Sequence, residues 1–348
     1  MHERVLITGK DGQLGKSLER IARQYPQYDF EFVGRERLDL SSAENITEFF
    51  IGQHFDVIIN SAAYTAVDKA EIETELAEQV NHLAVKQLAE IAKQQESVLI
   101  HISTDYVFNG QNFKPYIETD LTAPQSVYGA TKLKGEQAIQ EINPKGCIIR
   151  TSWVYSEYGN NFVKTMLRLG QERDVLNVIF DQVGTPTYAG DLADAILAIL
   201  SSKFSIFSEE TNSVIGRPSP VITSEAKQST AVHDAKEQVR QATHVKTDTV
   251  ISNSKLSIQN STFCNVYHYS NEGVCSWYDF AKAIFAYSHT ECQLSPIETK
   301  DYPTPATRPH YSLLNKSKIK IDFNLTIPYW QDSLKHCMQS LQEQKNER

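Results

Sequence analysis

Short apolar runs rich in Val and Ile alternate with longer stretches of helical period from the beginning of the chain. The runs are Val5-Leu6-Ile7, Phe30-Glu31-Phe32-Val33, Val57-Ile58-Ile59, Val98-Leu99-Ile100-His101-Ile102 and Cys147-Ile148-Ile149. Between them, Leu76, Val80, Leu83, Ala84, Leu88 and Ile91 recur at three- and four-residue spacings, which predicts an amphipathic helix over 75–93 with one side packed on a sheet. A second helix is expected over 13–24. Strands that alternate with helices in this way predict stacked βαβ units, hence an α/β fold built on a Rossmann-like, doubly wound parallel sheet.

After Arg150 the pattern changes to aromatic and polar loop segments interleaved with helices, as in Trp153-Val154-Tyr155 and Asp181 to Thr187. We therefore expect residues 1–150 to form an NAD(P)-binding domain. Residues 151–202 and 263–343 should form mainly a smaller α/β substrate-binding lobe, with some chain returning to the first domain. Leu192 to Leu200 reads as a core helix that contains Asp194, far too short to span a bilayer. Residues 203–262 are rich in Ser, Thr, Gln, Lys and Glu, contain Pro218 and Pro220, and offer few apolar stripes. They are expected to be a polar, flexible surface insertion, dispensable for chemistry. Periodicity resumes at Val266-Tyr267-His268-Tyr269, with a helix from about Ser276.

Composition narrows the function classes. The 348 residues carry a formal net charge of -9, with 41% hydrophobic and 22% charged positions. This is a globular composition without the positive field that would attract nucleic acid. Met1-His2-Glu3-Arg4 leads directly into the first apolar run with no leader-like apolar segment, so no membrane association and a cytoplasmic location are expected. Cys147, Cys264, Cys275, Cys292 and Cys337 are scattered and odd in number, as expected of reduced thiols. The histidines show no ligand spacing, and no metal-binding set can be named.

Thr8-Gly9-Lys10-Asp11-Gly12-Gln13-Leu14-Gly15 follows the first strand and opens a helix. Glycines at this strand-to-helix turn let backbone amides approach a pyrophosphate, which also suits the positive end of the helix dipole. In an arbitrary loop the same glycines would be ordinary turn residues. At the end of the second strand, where an acidic residue often holds the ribose, the chain reads Gly34-Arg35-Glu36-Arg37 and then Leu38-Asp39-Leu40. Arg35 or Arg37 offers a partner for a 2′-phosphate, favouring NADPH with NADH also usable; both are equally consistent with solvated loop arginines.

Tyr128-Gly129-Ala130-Thr131-Lys132 places a tyrosine and a lysine four residues apart, on one helical face, after the strand that ends near Thr104. Ketone reduction needs a proton donor for the developing alkoxide. A neighbouring ammonium would bring a tyrosine into range, and Thr104 could donate to the carbonyl oxygen. Lys132 can also hold ribose hydroxyls. A Tyr-x-x-x-Lys pair alone often occurs by chance on a surface; its order relative to the glycine turn and Thr104 gives it meaning.

The chain resembles the extended short-chain dehydrogenases, and within them the dTDP-4-dehydrorhamnose reductase family. The resemblance rests on Thr8 to Gly15, Asn60 to Glu71, Ser103 to Gly110, Tyr128 to Lys132, Arg150 to Tyr155, Asp181 to Thr187 and Thr307-Arg308-Pro309. It implies NAD(P)H-dependent reduction of the 4-keto group of dTDP-4-dehydro-L-rhamnose to dTDP-L-rhamnose, a precursor of cell-surface polysaccharide. It further implies that Ala62, Ala63 and Thr65 line the cofactor cleft, that Asp39 and Leu40 lie near adenine, and that Thr104, Asp105, Tyr106, Trp153 and Arg308 contribute to the sugar-nucleotide site. Some relatives are homodimers with Mg²⁺ at the contact, but no ligand set here identifies one. Two features depart from the family pattern: Asn109 stands where aspartate is common, and the 203–262 segment has no expected counterpart.

Dehydratases of the same fold use an Asp-Glu pair after the threonine. Here Asp105 is followed by Tyr106, which favours net reduction, with an epimerase or a non-catalytic dinucleotide-binding subunit as alternatives.

Overall fold

A computed structural model describes residues 2–202 and 264–346. The expectation for the 203–262 segment therefore lies outside the described residues. Six parallel strands form the central sheet: β1 (Glu3–Thr8), β2 (Tyr28–Val33), β3 (Val57–Asn60), β4 (Val98–Thr104), β5 (Gly146–Thr151) and β6 (Cys264–His268). Their order is β2-β1-β3-β4-β5-β6. Growth of the sheet reverses direction between β1 and β3, the place where an open α/β sheet leaves a crevice at the carboxyl ends of its strands.

Within the apolar runs, successive residues serve opposite faces. Val5 and Ile7 join one core with Val57, Ile59, Ile100, Cys147 and Ile149, while Leu6, Ile58, Leu99 and Ile148 join the other. The first face is covered by α1 (Gln13–Ala22) and the helix Ala189–Ser201. The second is covered by α2 (Ala43–Phe50), α3 (Ala84–Gln94) and α4 (Val127–Ile142). Two covered faces explain why these strands read as unbroken apolar runs rather than alternating ones.

The amphipathic stretch over 75–93 forms as predicted, with one irregularity. Helix Thr74–Glu78 passes through a π-type turn, Gln79–Leu83, before α3. Asn81 sits in that turn and is fully buried. Its side chain accepts from the Tyr64 amide at 2.9 Å, donates to the Tyr64 carbonyl at 3.0 Å and donates to Thr131 Oγ1 at 3.3 Å. The widened turn thus ties the segment after β3 to α4.

A separate apolar cluster is built from Tyr155, Met166, Leu176, Tyr188, Phe280, Ile284, Trp330 and Leu334. Its helices include Phe162–Glu172 and Trp277–Ser288; the latter begins with a reciprocal capping box between Ser276 and Asp279. All five cysteines are unpaired. Among the described residues no helix is long and apolar enough to cross a membrane, and no group of three His, Cys, Asp or Glu side chains is placed to hold a metal ion.

Candidate active site

A cleft of about 740 Å³ opens at the carboxyl ends of the strands. The glycine turn between β1 and α1 forms one wall. Gly9 has φ +72°, and a Cβ there would stand 2.9 Å from the backbone of Ala62. A Cβ on Gly15 would overlap the Gly9 carbonyl. Both positions therefore exclude side chains for steric reasons, Gly15 from behind the loop rather than on the cleft surface. Gly12 is the N-cap of α1 and no side chain caps that helix end. Its amides, with the cradle that a Cβ would fill, fit a pyrophosphate.

Asp11, Gly12, Gln13 and Leu14 line the cleft, as do Ala62, Ala63 and Thr65 after β3. Gln13 also reaches the segment after β5: its Oε1 accepts from Ser156 Oγ at 3.1 Å and from Asn161 Nδ2 at 2.9 Å. Arg35, Asp39 and Leu40 stand at the end of β2. Arg35 contacts Asp39 and Ser41, both at 3.3 Å, and its side chain is 74% exposed. Arg37 instead pairs with Glu31 at 2.7 Å, outside the cleft, which separates the two arginines that the sequence left equivalent. Lys10 pairs with Glu36.

Tyr128, Lys132 and Thr104 come together on the cleft floor. Ser126 caps α4 by accepting from the Gly129 amide at 3.1 Å, and Glu71 Oε1 accepts from the Val127 amide at 2.9 Å. These bonds set the first turn from which Tyr128 projects. Four residues on, Lys132 donates to the Ile102 carbonyl at 2.6 Å. Another turn later Glu136 accepts a forked interaction from Arg150 of β5, with Nη2 to Oε2 at 2.7 Å and Nε to Oε1 at 3.0 Å.

The electrostatics differ from the sequence expectation that a lysine charge would draw the phenol toward neutrality. Burial dominates both groups: it pushes the Tyr128 phenol up to about 12, and it pulls the Lys132 amine down to about 8. The Thr104 hydroxyl acts on Tyr128 in the opposite sense, favouring phenolate. That hydroxyl donates to Asp105 Oδ1 at 2.9 Å and accepts from the Tyr106 amide at 3.2 Å. Burial pushes the Asp105 carboxyl up to about 7, and its Oδ2 has no hydrogen-bond partner. Tyr106 packs edge-on against Tyr128 with ring centroids 5.5 Å apart.

Trp153 also lines the cleft, in the left-handed region at φ 49°. Such a backbone is costly for a residue with a bulky side chain and persists where surrounding contacts hold it. The holding contact is Trp277, stacked at 3.6 Å and 12° and itself a cleft residue. Sequence reasoning missed Trp277; its only signal was a tryptophan opening a well-capped helix. Arg308 does not line the cleft. It grips Asp68 through Nη1 at 3.1 Å and Nη2 at 2.6 Å.

Comparison with known proteins supplies the family. A family described as "RmlD substrate binding domain" matches residues 3–214 and 218–343. The chain is 36% identical over 339 residues to dTDP-4-dehydrorhamnose reductase of Aggregatibacter actinomycetemcomitans, covering 96% of this chain and 97% of that protein. It is 34% identical over 349 residues to the Escherichia coli K12 protein of the same name, covering 97% of each. Among solved structures, the Clostridium acetobutylicum dTDP-4-dehydrorhamnose reductase is similar with a TM-score of 0.78 at 33% identity, covering 97% of this chain and 99% of that one. The Bacillus anthracis enzyme, solved in complex with NADP, gives a TM-score of 0.77 at 32% identity, covering 98% and 100%. UDP-galactose 4-epimerase, at 16% identity and a TM-score of 0.69, shares the fold. With near-complete coverage at this identity, and with the glycine turn, Thr104, Tyr128 and Lys132 gathered in one cleft, the chain belongs to the dTDP-4-dehydrorhamnose reductase family.

Proposed function

We propose that this protein reduces the 4-keto group of dTDP-4-dehydro-L-rhamnose to give dTDP-L-rhamnose, using NADPH and accepting NADH. The observation that carries this reading is the meeting of Tyr128, Lys132 and Thr104 in the same cleft as the glycine cradle. Residues 1–150 supply the cofactor side, and 151–202 with 263–343 supply most of the sugar-nucleotide side.

When bound, NADPH supplies the hydride. Tyr128 supplies the proton: its raised pKa keeps the phenol protonated at neutral pH, and it gives that proton to the oxygen that becomes the 4-hydroxyl. Thr104, whose hydroxyl donates to Asp105 Oδ1 in the free cleft, turns that proton to the reacting oxygen when the ketone enters, and Lys132 binds ribose hydroxyls from the cleft floor. Asp105 stands behind Thr104 on the sugar-nucleotide side of the cleft, its Oδ1 accepting from the Thr104 hydroxyl at 2.9 Å. Trp153, braced by Trp277, forms an aromatic wall for the sugar nucleotide. Tyr106 supports reduction over dehydration, since an elimination mechanism would need a carboxylate acid-base partner where this buried phenol stands.

Arg35 is the residue assigned to the 2′-phosphate of NADPH, while Asp39 beside it can accept a hydrogen bond from a hydroxyl of an unphosphorylated ribose. Arg35→Ala is expected to raise KM for NADPH about two- to fivefold, the worth of one exposed ionic contact, and to leave KM for NADH nearly unchanged. Equal effects on both cofactors would remove Arg35 from this role. The reaction itself is tested by NADPH oxidation with dTDP-4-dehydro-L-rhamnose and identification of the product. One NADPH consumed per dTDP-L-rhamnose formed is expected. Cofactor binding without turnover would instead support the non-catalytic reading.

A further inference from the structure

Gln13 is the first residue of α1, directly after the Gly12 N-cap, and its side chain is committed to the segment that follows β5. Its Oε1 accepts from Ser156 Oγ at 3.1 Å and from Asn161 Nδ2 at 2.9 Å, and its Nε2 donates to the Val154 carbonyl at 3.3 Å. The orientation of this carboxamide is fixed from the far side. Asn161 Oδ1 accepts from the Lys164 amide as the N-cap of helix Phe162–Glu172. The other terminal atom of Asn161 is therefore the NH₂, which also donates to the Ser156 and Tyr158 carbonyls at 2.7 and 3.2 Å. A carboxamide nitrogen only donates, so the Gln13 atom that meets it is the oxygen.

The same face of α1 continues the contact. Lys16 and Arg20 follow Gln13 at three- and four-residue spacings. Lys16 Nζ stands 6.0 Å from the centre of the Tyr158 ring. Arg20 Nη1 pairs at 3.1 Å with the buried Glu157, whose Oε2 accepts from the Tyr188 hydroxyl at 3.0 Å. Leu14, Leu18 and Ile21 meanwhile anchor the helix in the sheet core. The first turn of α1 thus carries the pyrophosphate cradle while its side rests on the 154–161 wall. Val154, Gly159, Asn160 and Asn161 of that wall line the cleft, next to Trp153. Gln13 lines the cleft as well, whereas Lys16 and Arg20 hold the wall from outside it.

We propose that Gln13 is a positioning residue that couples the two halves of the cleft, so that the dinucleotide and the nucleotide-sugar each bind more tightly when the other is present. The inference rests on the occupants proposed above for those halves. A pyrophosphate on the amides of the first turn fixes the Gln13 backbone, and the carboxamide passes that restraint to Val154, Ser156 and Asn161 together. A ligand that then packs on the wall orders less chain as it binds, and the smaller ordering cost appears as higher affinity. Linkage makes the effect reciprocal. Lys16 and Arg20 anchor the wall whether or not a ligand is bound, so they do not transmit occupancy.

The test is calorimetric titration of the full-length protein with dTDP and with NADP⁺, each alone and with the other saturating. The wild type is expected to bind dTDP about five- to tenfold more tightly when NADP⁺ is present, and NADP⁺ more tightly by the same factor when dTDP is present. In Gln13→Leu this ratio should fall below about twofold. The ratio compares affinities within one protein, so damage confined to either site cancels from it. Lys16→Met, on the same helix face but outside the cleft, should keep the wild-type ratio. Asn161→Ser retains a capping oxygen but withdraws the donor from Gln13, and should lose the ratio as Gln13→Leu does. That variant decides the matter if Gln13→Leu fails to fold. A ratio near one in the wild type, a wild-type ratio in Gln13→Leu or Asn161→Ser, or an equal loss in Lys16→Met would overturn the proposal. Failure of dTDP or NADP⁺ to bind at all would overturn both this proposal and the function on which it rests. The expected ratios without turnover of the keto-sugar would count against the proposed function alone.

Discussion

Tyr128→Phe is expected to reduce turnover by about two to four orders of magnitude, the usual worth of a positioned proton donor, while leaving NADPH affinity nearly intact. The substitution deletes one oxygen and keeps the ring. That ring packs edge-on against Tyr106 and contacts Ala70 and Ala77 in a small apolar cluster, so the floor of the cleft should keep its shape. The glycine cradle lies on another wall and loses nothing. The loss should therefore appear in kcat, because the missing proton is required only as the alkoxide forms. Steady-state rates and cofactor titration by fluorescence quenching measure the two halves separately. Wild-type turnover in the variant would end the assignment of Tyr128 as the proton donor.

Arg150→Met should have the largest effect on stability, a loss of about 3–5 kcal/mol, because it strands a buried carboxylate. The side chains of Arg150 and Glu136 are only 4% and 1% exposed, and each carboxylate oxygen of Glu136 receives a guanidinium N–H. Arg150 also lies over the Phe108 ring at 5.1 Å, a contact that methionine keeps only in part. Combining Arg150→Met with Glu136→Leu should recover much of the loss, since the cost comes from the unpaired charge rather than from absence of the pair. Denaturant melts of the two single variants and the double variant provide the check. A double variant no more stable than Arg150→Met would show that packing, not charge, dominates the site.

Local patterns carried a large part of the fold. The apolar runs at Val5, Phe30, Val57, Val98 and Cys147 became consecutive strands of the sheet, and the period over 75–93 became a helix. The glycine turn and the Tyr128–Lys132 spacing were equally legible, because each depends on residues close in the chain and on backbone geometry that any such segment adopts. The π-type turn at Gln79–Leu83 was not legible, since Asn81 creates it by bonding to Tyr64 and Thr131, residues distant in sequence.

Asn60 and His101 mark the boundary between what could and could not be read. Their polarity inside apolar runs was visible, but their contact at 3.1 Å depends on β3 lying beside β4, with Asn60 opposite His101 in register. The same holds for Trp153 on Trp277 and for Arg308 on Asp68, each pair joined across long separations. The amino-acid order was enough to establish the sheet-and-helix plan, the dinucleotide turn and the reacting tyrosine and lysine, because those features repeat a local geometry. Only the tertiary structure decided the charge state of the site and which arginine faces the cleft. Protonation and pairing there follow from burial and from neighbours supplied by other strands, which no local spacing encodes.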